Sequence, residues 1–274
     1  MTRIAAIIVT HDSERFVHSC LAALRQQAHV ERIIVVDAGS RDRATMRKLV
    51  SGAEAEFIAI ENQGFSRANN VGYAHVPGWV EYVLFLNPDA FIRPGALSRA
   101  VEYMENPRYS DVGCLTGRLL GCDPASMQPT GRLDSTGVFR AWYGRWYDRG
   151  QGEPDCGQYD AIETVPAACG AFMLCRKSAL EQAGSRLGHI FDPDFFLYKE
   201  DIELSLRLRK HGWKICYHPD IQVLHCRGWQ SRHRMTAQMR RQAALSEVLL
   251  YRKHPSCYLG WALGKYIAVR FFNL

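Results

Sequence analysis

The distribution of apolar residues predicts short buried strands that alternate with amphipathic helices. The clearest strand is the unbroken apolar run Tyr82–Leu86, which is long enough for a strand and too short for most helices. A continuous apolar run is typical of a strand that is covered on both faces of a parallel sheet. The run stops at Asn87-Pro88-Asp89, where Pro88 removes a backbone donor and directs the chain out of the sheet. We therefore expect the Asp89 carboxylate at the carboxyl end of this strand.

Three further apolar runs precede this strand, and a helical pattern follows each of the four. The runs cover residues 4–9, 32–36 and 56–60, and the helices are predicted to start after Asp12 or Ser13, after Asp42, at Phe65 and near Pro94. Strand–helix repeats with connections of this length predict parallel strands joined by right-handed crossovers. Residues 1–111 are therefore expected to form a mostly parallel, Rossmann-like α/β sheet.

Polar residues gather where these four strands end, namely at His11, Asp12, Asp37, Asn62 and Asp89. Asp and Asn are also common turn formers and helix caps, so each one alone is explained equally well by local structure. Four successive polar strand ends favour a binding site, because ligands of open α/β sheets bind at the carboxyl edge of the strands. A single carboxylate on such a turn, as at Asp89, is a candidate for holding a divalent cation against a phosphate.

A second, less regular half begins near Val112 and is richer in glycine, proline and aromatic residues. Residues 117–157 are predicted to be rich in loops, and residues 167–175 to form a strand in which Gly170 permits a close approach. The first segment contains an aromatic cluster that could form either a small local core or a platform for a sugar or lipid. Its members are Trp142, Tyr143, Trp146 and Tyr147.

Another acidic pair, Glu200 and Asp201, precedes a buried amphipathic helix that Gly212 ends. Acids at a helix N-terminus are favoured by the helix dipole, so the pair could be a cap and nothing more. Two strands are predicted next, at 213–217 and 221–224, and His225 ends the second. A lone histidine is more often structural than a ligand, but this one ends a strand as Asp89 does.

The C-terminal segment is basic and amphipathic. Residues 226–274 contain nine Lys and Arg against one acid, Glu247, in a chain whose net charge is +6. A helix is predicted over 235–253, and 258–274 is a second apolar segment that Lys265 and Arg270 interrupt. This pattern favours either an interfacial helix or a helix packed on the body. The charge indicates an anionic partner, either a membrane surface or a nucleic acid.

Bulk composition narrows the class of protein. A chain of 274 residues with 47% hydrophobic residues can build a large core, which excludes a disordered chain. We find neither a signal-peptide pattern nor an uncharged apolar stretch long enough to span a bilayer, so a cytoplasmic location is expected. The nine cysteines include no CxxC pair, which predicts reduced thiols and argues against a structural zinc site.

Seven segments, in this order, resemble the inverting glycosyltransferases of family two, which have the GT-A fold. The similarity is greatest to the bacterial branch that contains rhamnosyltransferases of cell-surface polysaccharide assembly. The segments are Ile8-Val-Thr-His-Asp12, Val36-Asp-Ala-Gly-Ser40, Asn62-Gln-Gly-Phe-Ser-Arg-Ala-Asn-Asn-Val-Gly72, Phe85-Leu-Asn-Pro-Asp89, Gly170-Ala-Phe-Met-Leu174, Phe195-Phe-Leu-Tyr-Lys-Glu-Asp201 with Leu206-Arg207, and His225-Cys-Arg-Gly-Trp-Gln-Ser231. The resemblance implies a nucleotide-sugar-binding half (1–111), an acceptor-binding and catalytic half of the same domain (112–231), and basic C-terminal helices (232–274).

The resemblance also implies roles for matching positions. Asp201 would be the general base with Glu200 beside it, and Asp89 and His225 would hold a Mg²⁺ or Mn²⁺ ion. The nucleotide-sugar would be bound by Thr10, His11, Asp12, Asp37, Asn62, Gly64, Arg67, Asn70 and Asn87. Two positions depart from the family pattern: Asn87 replaces the first acid of an Asp-x-Asp metal motif, and His11-Asp12 stand where Tyr-Asn is frequent.

The expected activity is transfer of a sugar from a nucleotide diphosphate to a hydroxyl of a glycan or a lipid-linked acceptor. The family branch favours dTDP-rhamnose as donor, ahead of UDP- and GDP-sugars, and the basic C-terminus favours an anionic membrane surface on the inner face of the cell membrane over a nucleic acid. A dinucleotide-dependent oxidoreductase is disfavoured, because no G-x-G-x-x-G follows the first strand. A non-enzymatic binder of nucleotides, nucleic acid or membranes would leave the acids at the strand ends unexplained.

Overall fold

The computed structural model describes residues 2–184, 188–227 and 235–272. Within these ranges, strands and helices alternate in the first half, and strands dominate the middle of the chain. The elements are β1 (Ile4–Thr10), α1 (Glu14–Arg25), β2 (Val30–Ala38), α2 (Arg43–Ser51), β3 (Glu56–Ile60), α3 (Phe65–Ala74), β4 (Tyr82–Leu86), β5 (Ala90–Ile92), α4 (Ala96–Glu105), β6 (Val112–Cys122), β7 (Pro129–Ser135), β8 (Val138–Arg140), β9 (Trp146–Asp148), β10 (Glu163–Thr164), β11 (Phe172–Arg176), α5 (Lys177–Ala183), α6 (Glu200–Lys210), β12 (Lys214–His225), α7 (Ala237–Lys253) and α8 (Leu259–Phe272).

The four predicted strands of the first half are parallel neighbours in one sheet, in the order β4-β1-β2-β3. Thr10 of β1 pairs with Asp37 of β2, and Ile8 pairs with Leu86 of β4. The carboxyl ends of these strands therefore lie at one edge, as the apolar runs predicted. β3 and β4 have the bounds expected from the sequence, and β1 and β2 extend one to two residues beyond the predicted runs.

The second half continues the same sheet. β11 lies antiparallel between β4 and β6, β12 runs parallel to β6, and β5, β7 and β10 add antiparallel pairs. The two strands predicted at 213–217 and 221–224 are one strand, β12, whose register shifts between His218 and Gln222. Pro219 lies in this irregularity, because proline cannot donate to a neighbouring strand.

The segment predicted to be rich in loops contains regular structure. β6 extends to Cys122, β7 covers Pro129–Ser135, and β8 and β9 form a separate hairpin. The first four residues of β7 are exposed, so this edge strand lacks the apolar run that marks a buried strand. Polar edge strands of this kind are hard to distinguish from loops in a sequence.

Apolar residues pack on both faces of the sheet. Along β1, Ile4, Ala6 and Ile8 contact the layer that contains α1, α2 and α4, whereas Ile7 and Val9 contact the layer that contains α3, α5 and α6. α7 and α8 pack on the loop before α6 and on the β8–β9 hairpin: Ser246 donates to the Leu197 carbonyl (2.8 Å), and Tyr258 donates to the Trp142 carbonyl. No helix of the described ranges is both long enough and apolar enough to cross a membrane.

One prediction about the cysteines is wrong. Cys122 and Cys226 form a disulfide, although the sequence predicted reduced thiols throughout. The pair is 104 residues apart in the chain, and it meets because β6 and β12 are neighbours in which Gly121 pairs with His225. The free thiols among the described residues are those of Cys20, Cys114, Cys156, Cys169, Cys175, Cys216 and Cys257.

Candidate active site

A cavity of about 670 Å³ opens at the carboxyl edge of the sheet. It is bounded by the turns after β1, β3 and β4, by the start of α6, by the end of β12 and by residues of the β7–β9 region. The predicted site residues that line it are Thr10, His11, Asn62, Gly64, Asn87, Asp89, Glu200, Asp201 and His225. Asp89, predicted to hold the cation, and Asp201, predicted to be the base, therefore face one common space.

Asp37 and Asp12 lie behind the cavity wall. Asp37 is fully buried and accepts hydrogen bonds from Thr10 Oγ1 (3.3 Å), from the Ser40 hydroxyl and from Arg43 Nε (3.3 Å). Asp12 accepts from the backbone N–H and from Nε of Arg41, both at 2.8 Å, and these bonds lower the pKa of Asp12. In this structure the two acids fasten the β1 and β2 turns together, and neither lines the cavity.

Asn70 and Gly64 secure the loop that leads to α6. Asn70 donates from Nδ2 to the Phe191 carbonyl (2.7 Å) and accepts from the Phe191 N–H (2.9 Å). Gly64 has a φ of +91°, and a Cβ there would lie 2.5 Å from the Phe196 carbonyl oxygen, so a side chain would push this loop away. Arg67 is exposed and does not line the cavity. Nucleotide contacts by these residues stay predictions.

At one end of the cavity His225 lies between two carboxylates. Its Nδ1 is 2.7 Å from Asp134 Oδ2, and its Nε2 is 3.4 Å from Asp89 Oδ1. Burial alone would lower the pKa of His225, but the two carboxylates outweigh burial and raise it to about 9. In the same way, burial opposes ionisation of Asp134, yet His225 and Arg227 bring its pKa down to about 2. This end of the cavity is therefore a largely buried cluster in which Asp89 and Asp134 both face the His225 ring.

These residues fit a divalent cation that also binds the phosphates of a substrate. Such an ion would displace the Nε2 proton that the raised pKa keeps on His225, because an imidazole nitrogen binds a metal only when it is deprotonated. The Asp89 carboxylate and the His225 Nε2 lie side by side at the cavity, and Asp134 orients the imidazole from behind, as carboxylates do for metal-binding histidines. Among the described residues, no group of three or more His, Cys, Asp or Glu could hold an ion alone. The remaining positions would therefore be filled by the substrate and by water, as is usual for Mg²⁺ bound with phosphates.

At the other end, Glu200 and Asp201 begin α6. Two consecutive residues, Tyr198 and Lys199, have left-handed φ values of 70° and 72°, which is costly backbone geometry of the kind found at functional sites. Asp201 accepts bonds from the Gly170 N–H (2.9 Å) and from its neighbour Ile202 N–H (2.8 Å). Burial nevertheless raises the pKa of Asp201.

Glu200 is 7% exposed and lines the cavity, and its Oε2 has no hydrogen-bond partner among the described residues. Burial, together with the neighbouring charge of Asp201, raises the pKa of Glu200 to about 8. The carboxyl group is therefore neutral over much of the pH range near 7 and can donate a hydrogen bond. Helix capping alone, the alternative interpretation of the pair, does not explain why the Glu200 carboxyl group faces the cavity with an oxygen that lacks a partner among the described residues.

Several residues of the cavity had no predicted role. Asp134 was missed because β7 was expected to be loop and no local spacing links it to His225. Arg227, which donates to Asp148 (3.1 Å) and to the Cys169 sulfur (3.5 Å), lies in the segment quoted for the resemblance, but no function was assigned to it. Residues 228–231 of that segment, and the basic Arg232 and Arg234, lie outside the described residues.

The aromatic cluster divides into a buried part, which fits the local-core interpretation, and an exposed part, for which the role of a sugar or lipid platform stays a prediction. Trp146 is 6% exposed and belongs to the core, although it also lines the cavity. Trp142 is 87% exposed and contacts Tyr143, whose ring lies 6.1 Å from Trp261 of α8. The cluster therefore links the β8–β9 hairpin to the C-terminal helix.

Comparison with solved structures shows the fold. The crystal structure of GalNAc-T7 with UDP, GalNAc and Mn²⁺ superposes with a TM-score of 0.64 at 13% identity, covering 98% of this chain and 56% of that longer chain. The structure of S. aureus TarS 1-349 superposes with a TM-score of 0.56 at 16% identity and covers 97% of this chain and 72% of that one. Both neighbours are GT-A glycosyltransferases, so the predicted fold is confirmed.

Comparison with known sequences shows the family. The model of "Glycosyltransferase like family 2" matches residues 2–244. Rhamnosyltransferase WbbL of Escherichia coli K12 is 26% identical over 80% of this chain and 81% of its own length. The N-acetylglucosaminyl-diphospho-decaprenol L-rhamnosyltransferase of Mycobacterium tuberculosis is 25% identical over 94% of this chain and 86% of its own. The chain therefore belongs to glycosyltransferase family 2, in the branch that resembles bacterial rhamnosyltransferases.

Proposed function

We propose that this protein is an inverting glycosyltransferase that moves a sugar, with rhamnose from dTDP-rhamnose as the first candidate, to a hydroxyl of a lipid-linked or glycan acceptor in cell-surface polysaccharide synthesis. The observation that carries the proposal is the common cavity: Asp89 with His225 lies at one end and Asp201 at the other. Membership of the family favours an enzyme over a non-enzymatic binding protein. The rhamnosyltransferase relatives favour the donor.

Asp201 is suited to the role of general base. Each of its carboxylate oxygens accepts one backbone N–H, which fixes the side chain and leaves a lone pair on each oxygen for the acceptor hydroxyl. Its raised pKa makes it a stronger base than an exposed aspartate, so it can take the hydroxyl proton as the oxygen attacks the anomeric carbon. One base and no enzyme nucleophile predict inversion of configuration.

Asp89 and His225 would hold the Mg²⁺ or Mn²⁺ ion. Such an ion, when bound, neutralises charge on the departing diphosphate. The chain itself supplies the support: Asp134 keeps the ring of His225 oriented, and the turn that carries Asp89 is tied to β12 by the bond from the Cys226 N–H to the Asp89 carbonyl (2.9 Å). Glu200, neutral and buried, can donate to a sugar hydroxyl beside the base.

The outer face of α8 supports a membrane-bound acceptor. Four large apolar side chains are exposed there, with Trp261 at 54% and Phe271 at 73%. Exposed Trp142 extends this face through Tyr143. An apolar face on a basic helix pair is typical of interfacial helices at the anionic inner leaflet. One relative is named for a diphospho-decaprenol acceptor, so we infer that the acceptor is a lipid diphosphate at the cytoplasmic face of the membrane.

A donor panel tests the function. Purified protein is mixed with dTDP-rhamnose, UDP-sugars and GDP-sugars, with Mn²⁺ or with EDTA, and melting temperature and nucleotide release are recorded. The expected result is a metal-dependent rise in melting temperature with dTDP or its sugar, because a ligand that binds only the folded state stabilises it. Equal turnover in EDTA would refute the metal assignment, and no response to any nucleotide would refute the enzyme.

The membrane interaction is tested separately by co-sedimentation with phosphatidylglycerol vesicles. Replacing both Trp261 and Phe271 with Ala is expected to weaken vesicle binding strongly, because the most exposed apolar area of α8 is lost. Wild-type protein that stays in solution at low salt would remove the membrane from the proposal.

A further inference from the structure

A second groove, of about 350 Å³, lies between α7 and α8. α7 contributes four residues and α8 two, and together they provide amide, hydroxyl and guanidinium donors. The lining residues are Gln238, Arg241, Gln242, Leu245, Tyr266 and Arg270. None of them has been given a role by the catalytic site described above.

The groove has positive charge that no acid of the described residues neutralises. Arg241 and Arg270 are both exposed, and neither is paired with a carboxylate among the described residues. The single acid of α7 and α8, Glu247, is 1% exposed and is bound by Lys265. Two guanidinium groups that converge without a counter-ion are a recognition element for phosphate oxygens, which they bind in bidentate fashion.

An apolar strip runs beside this groove. Leu263, Ile267 and Phe271 follow one another at helical spacing and are 43%, 50% and 73% exposed. Tyr266 and Arg270 form the neighbouring strip of the same helix, so phosphate-binding and apolar side chains alternate across its surface. A ligand that joins an anionic group to a long hydrocarbon chain matches both strips, whereas a soluble nucleotide or free phosphate matches only one.

The groove also lies next to the catalytic cavity. Met235 and Met239, just before and within the first turn of α7, line that cavity, whereas Gln238 and Gln242 line the groove. The two spaces therefore lie on neighbouring faces of the first two turns of α7. A ligand in the groove that extends around the first turn of α7 would enter the cavity.

We propose that this groove binds the diphosphate of a lipid-linked acceptor, with its hydrocarbon chain on the Leu263–Ile267–Phe271 strip and its sugar directed into the catalytic cavity. The inference rests on the proposed function, because it places the acceptor of that same reaction. Arg241 and Arg270 bind the diphosphate. The whole apolar face of α8, which includes Trp261 beside the three residues of the strip, contacts the bilayer.

Vesicle binding tests this assignment without turnover. Co-sedimentation is measured with phosphatidylcholine vesicles that contain undecaprenyl diphosphate, and with vesicles that contain phosphatidylglycerol at the same total charge. We expect the diphosphate vesicles to bind the wild type more tightly, and Arg241→Gln with Arg270→Gln to weaken that binding by about 30-fold while phosphatidylglycerol binding changes much less. Inorganic diphosphate should compete with the diphosphate vesicles.

The matched control is Arg99→Gln with Arg108→Gln, which removes the same charge from exposed positions at α4 and just after it. It should bind both kinds of vesicle like the wild type. The inference is overturned if phosphatidylglycerol at equal charge binds as well as the diphosphate, or if the preference survives in the Arg241 and Arg270 double variant. Nucleotide-induced stabilisation, recorded for every variant, tests the proposed function independently, so the two can fail separately.

Discussion

The carboxyl groups at the two ends of the candidate active-site cavity have pKa shifts of opposite sign. Around His225, the carboxylates of Asp89 and Asp134 are paired with a cation, and this pairing lowers the pKa of each despite burial. At the start of α6, Glu200 is buried and its neighbour Asp201 is half-buried, and loss of solvation raises both pKa values. The carboxyl groups of Asp89 and Asp134 are therefore charged at neutral pH. The raised pKa values of Glu200 and Asp201 are suited to proton exchange. Environments that push carboxyl pKa values apart identify acid–base roles.

Replacing Asp201, the proposed base, should have the largest effect on turnover. Asp201→Asn keeps the size of the side chain but removes the proton acceptor, so turnover should fall by about 10²–10⁴-fold. Nucleotide-sugar binding, measured by thermal shift, should persist. Asp220→Asn, an exposed acid outside the cavity, is the control. Near-normal turnover of Asp201→Asn would transfer the role of base to another group.

Removing the carboxylate behind His225 should have the next largest effect. Asp134→Asn removes the carboxylate at Nδ1 of the imidazole, and the loss of such a supporting group weakens metal affinity by about 10–100-fold. The measurement is Mn²⁺ affinity in the presence of dTDP, followed by electron paramagnetic resonance. An unchanged affinity would mean that this end of the cavity does not hold the ion.

The pH dependence of stability tests the raised pKa of Glu200. The folded protein keeps this proton up to about pH 8, whereas the ordinary glutamate value is 4.5. The neutral acid therefore contributes fully to stability below about pH 4.5, and the contribution is lost as the pH rises to about 8. Glu200→Gln is neutral at every pH, so its melting temperature relative to wild type should rise by about 3 °C or more from pH 5 to pH 8.

The control for this series is Glu102→Gln, which changes an exposed glutamate of α4. Its difference from wild type should stay flat over the same range. A flat difference for Glu200→Gln as well would show that the two ends of the cavity do not differ in proton affinity.

The smallest effect on activity is expected for a substitution outside the cavity, at Arg67. Arg67 was predicted to contact the nucleotide-sugar, yet its side chain is exposed and does not line the cavity. Arg67→Gln should change KM for the donor by no more than about twofold, as is usual for surface substitutions. A tenfold rise in KM would return Arg67 to the donor site and show that α3 closes over the nucleotide.

The parallel half of the fold could be predicted because each of its strands is a continuous apolar run. β3 and β4 have the predicted bounds, and Asp42 caps α2 as expected by accepting from the Thr45 N–H (3.0 Å). In the second half this signal is weak: β7 is exposed over most of its length, and β12 passes through Pro219 without ending. Local patterns do not record which distant strands will pair.

The same reasoning explains which site residues were found. Asp89, Asp201 and His225 end or begin regular elements, so their position at the sheet edge follows from local sequence and from the resemblance. Asp134 and the disulfide partners Cys122 and Cys226 are brought together only by the pairing of β6 with β7 and β12. Contacts of this kind depend on topology, which four strand–helix repeats do not determine for the remainder of the chain.

The antiparallel strand β11 has a consequence for how this enzyme could diversify. β11 pairs directly with β4, with Phe172 opposite Leu86, and the Asn87 N–H donates to the Ala171 carbonyl (3.1 Å). The Gly170 N–H donates to the Asp201 carboxylate. The register of β11 against β4 therefore fixes the position of Asp201 relative to the turn that carries Asp89. The connections at 123–128 and 149–162 lie outside this ladder. Evolution can therefore lengthen or recompose them to accept new sugars without moving the reacting groups apart.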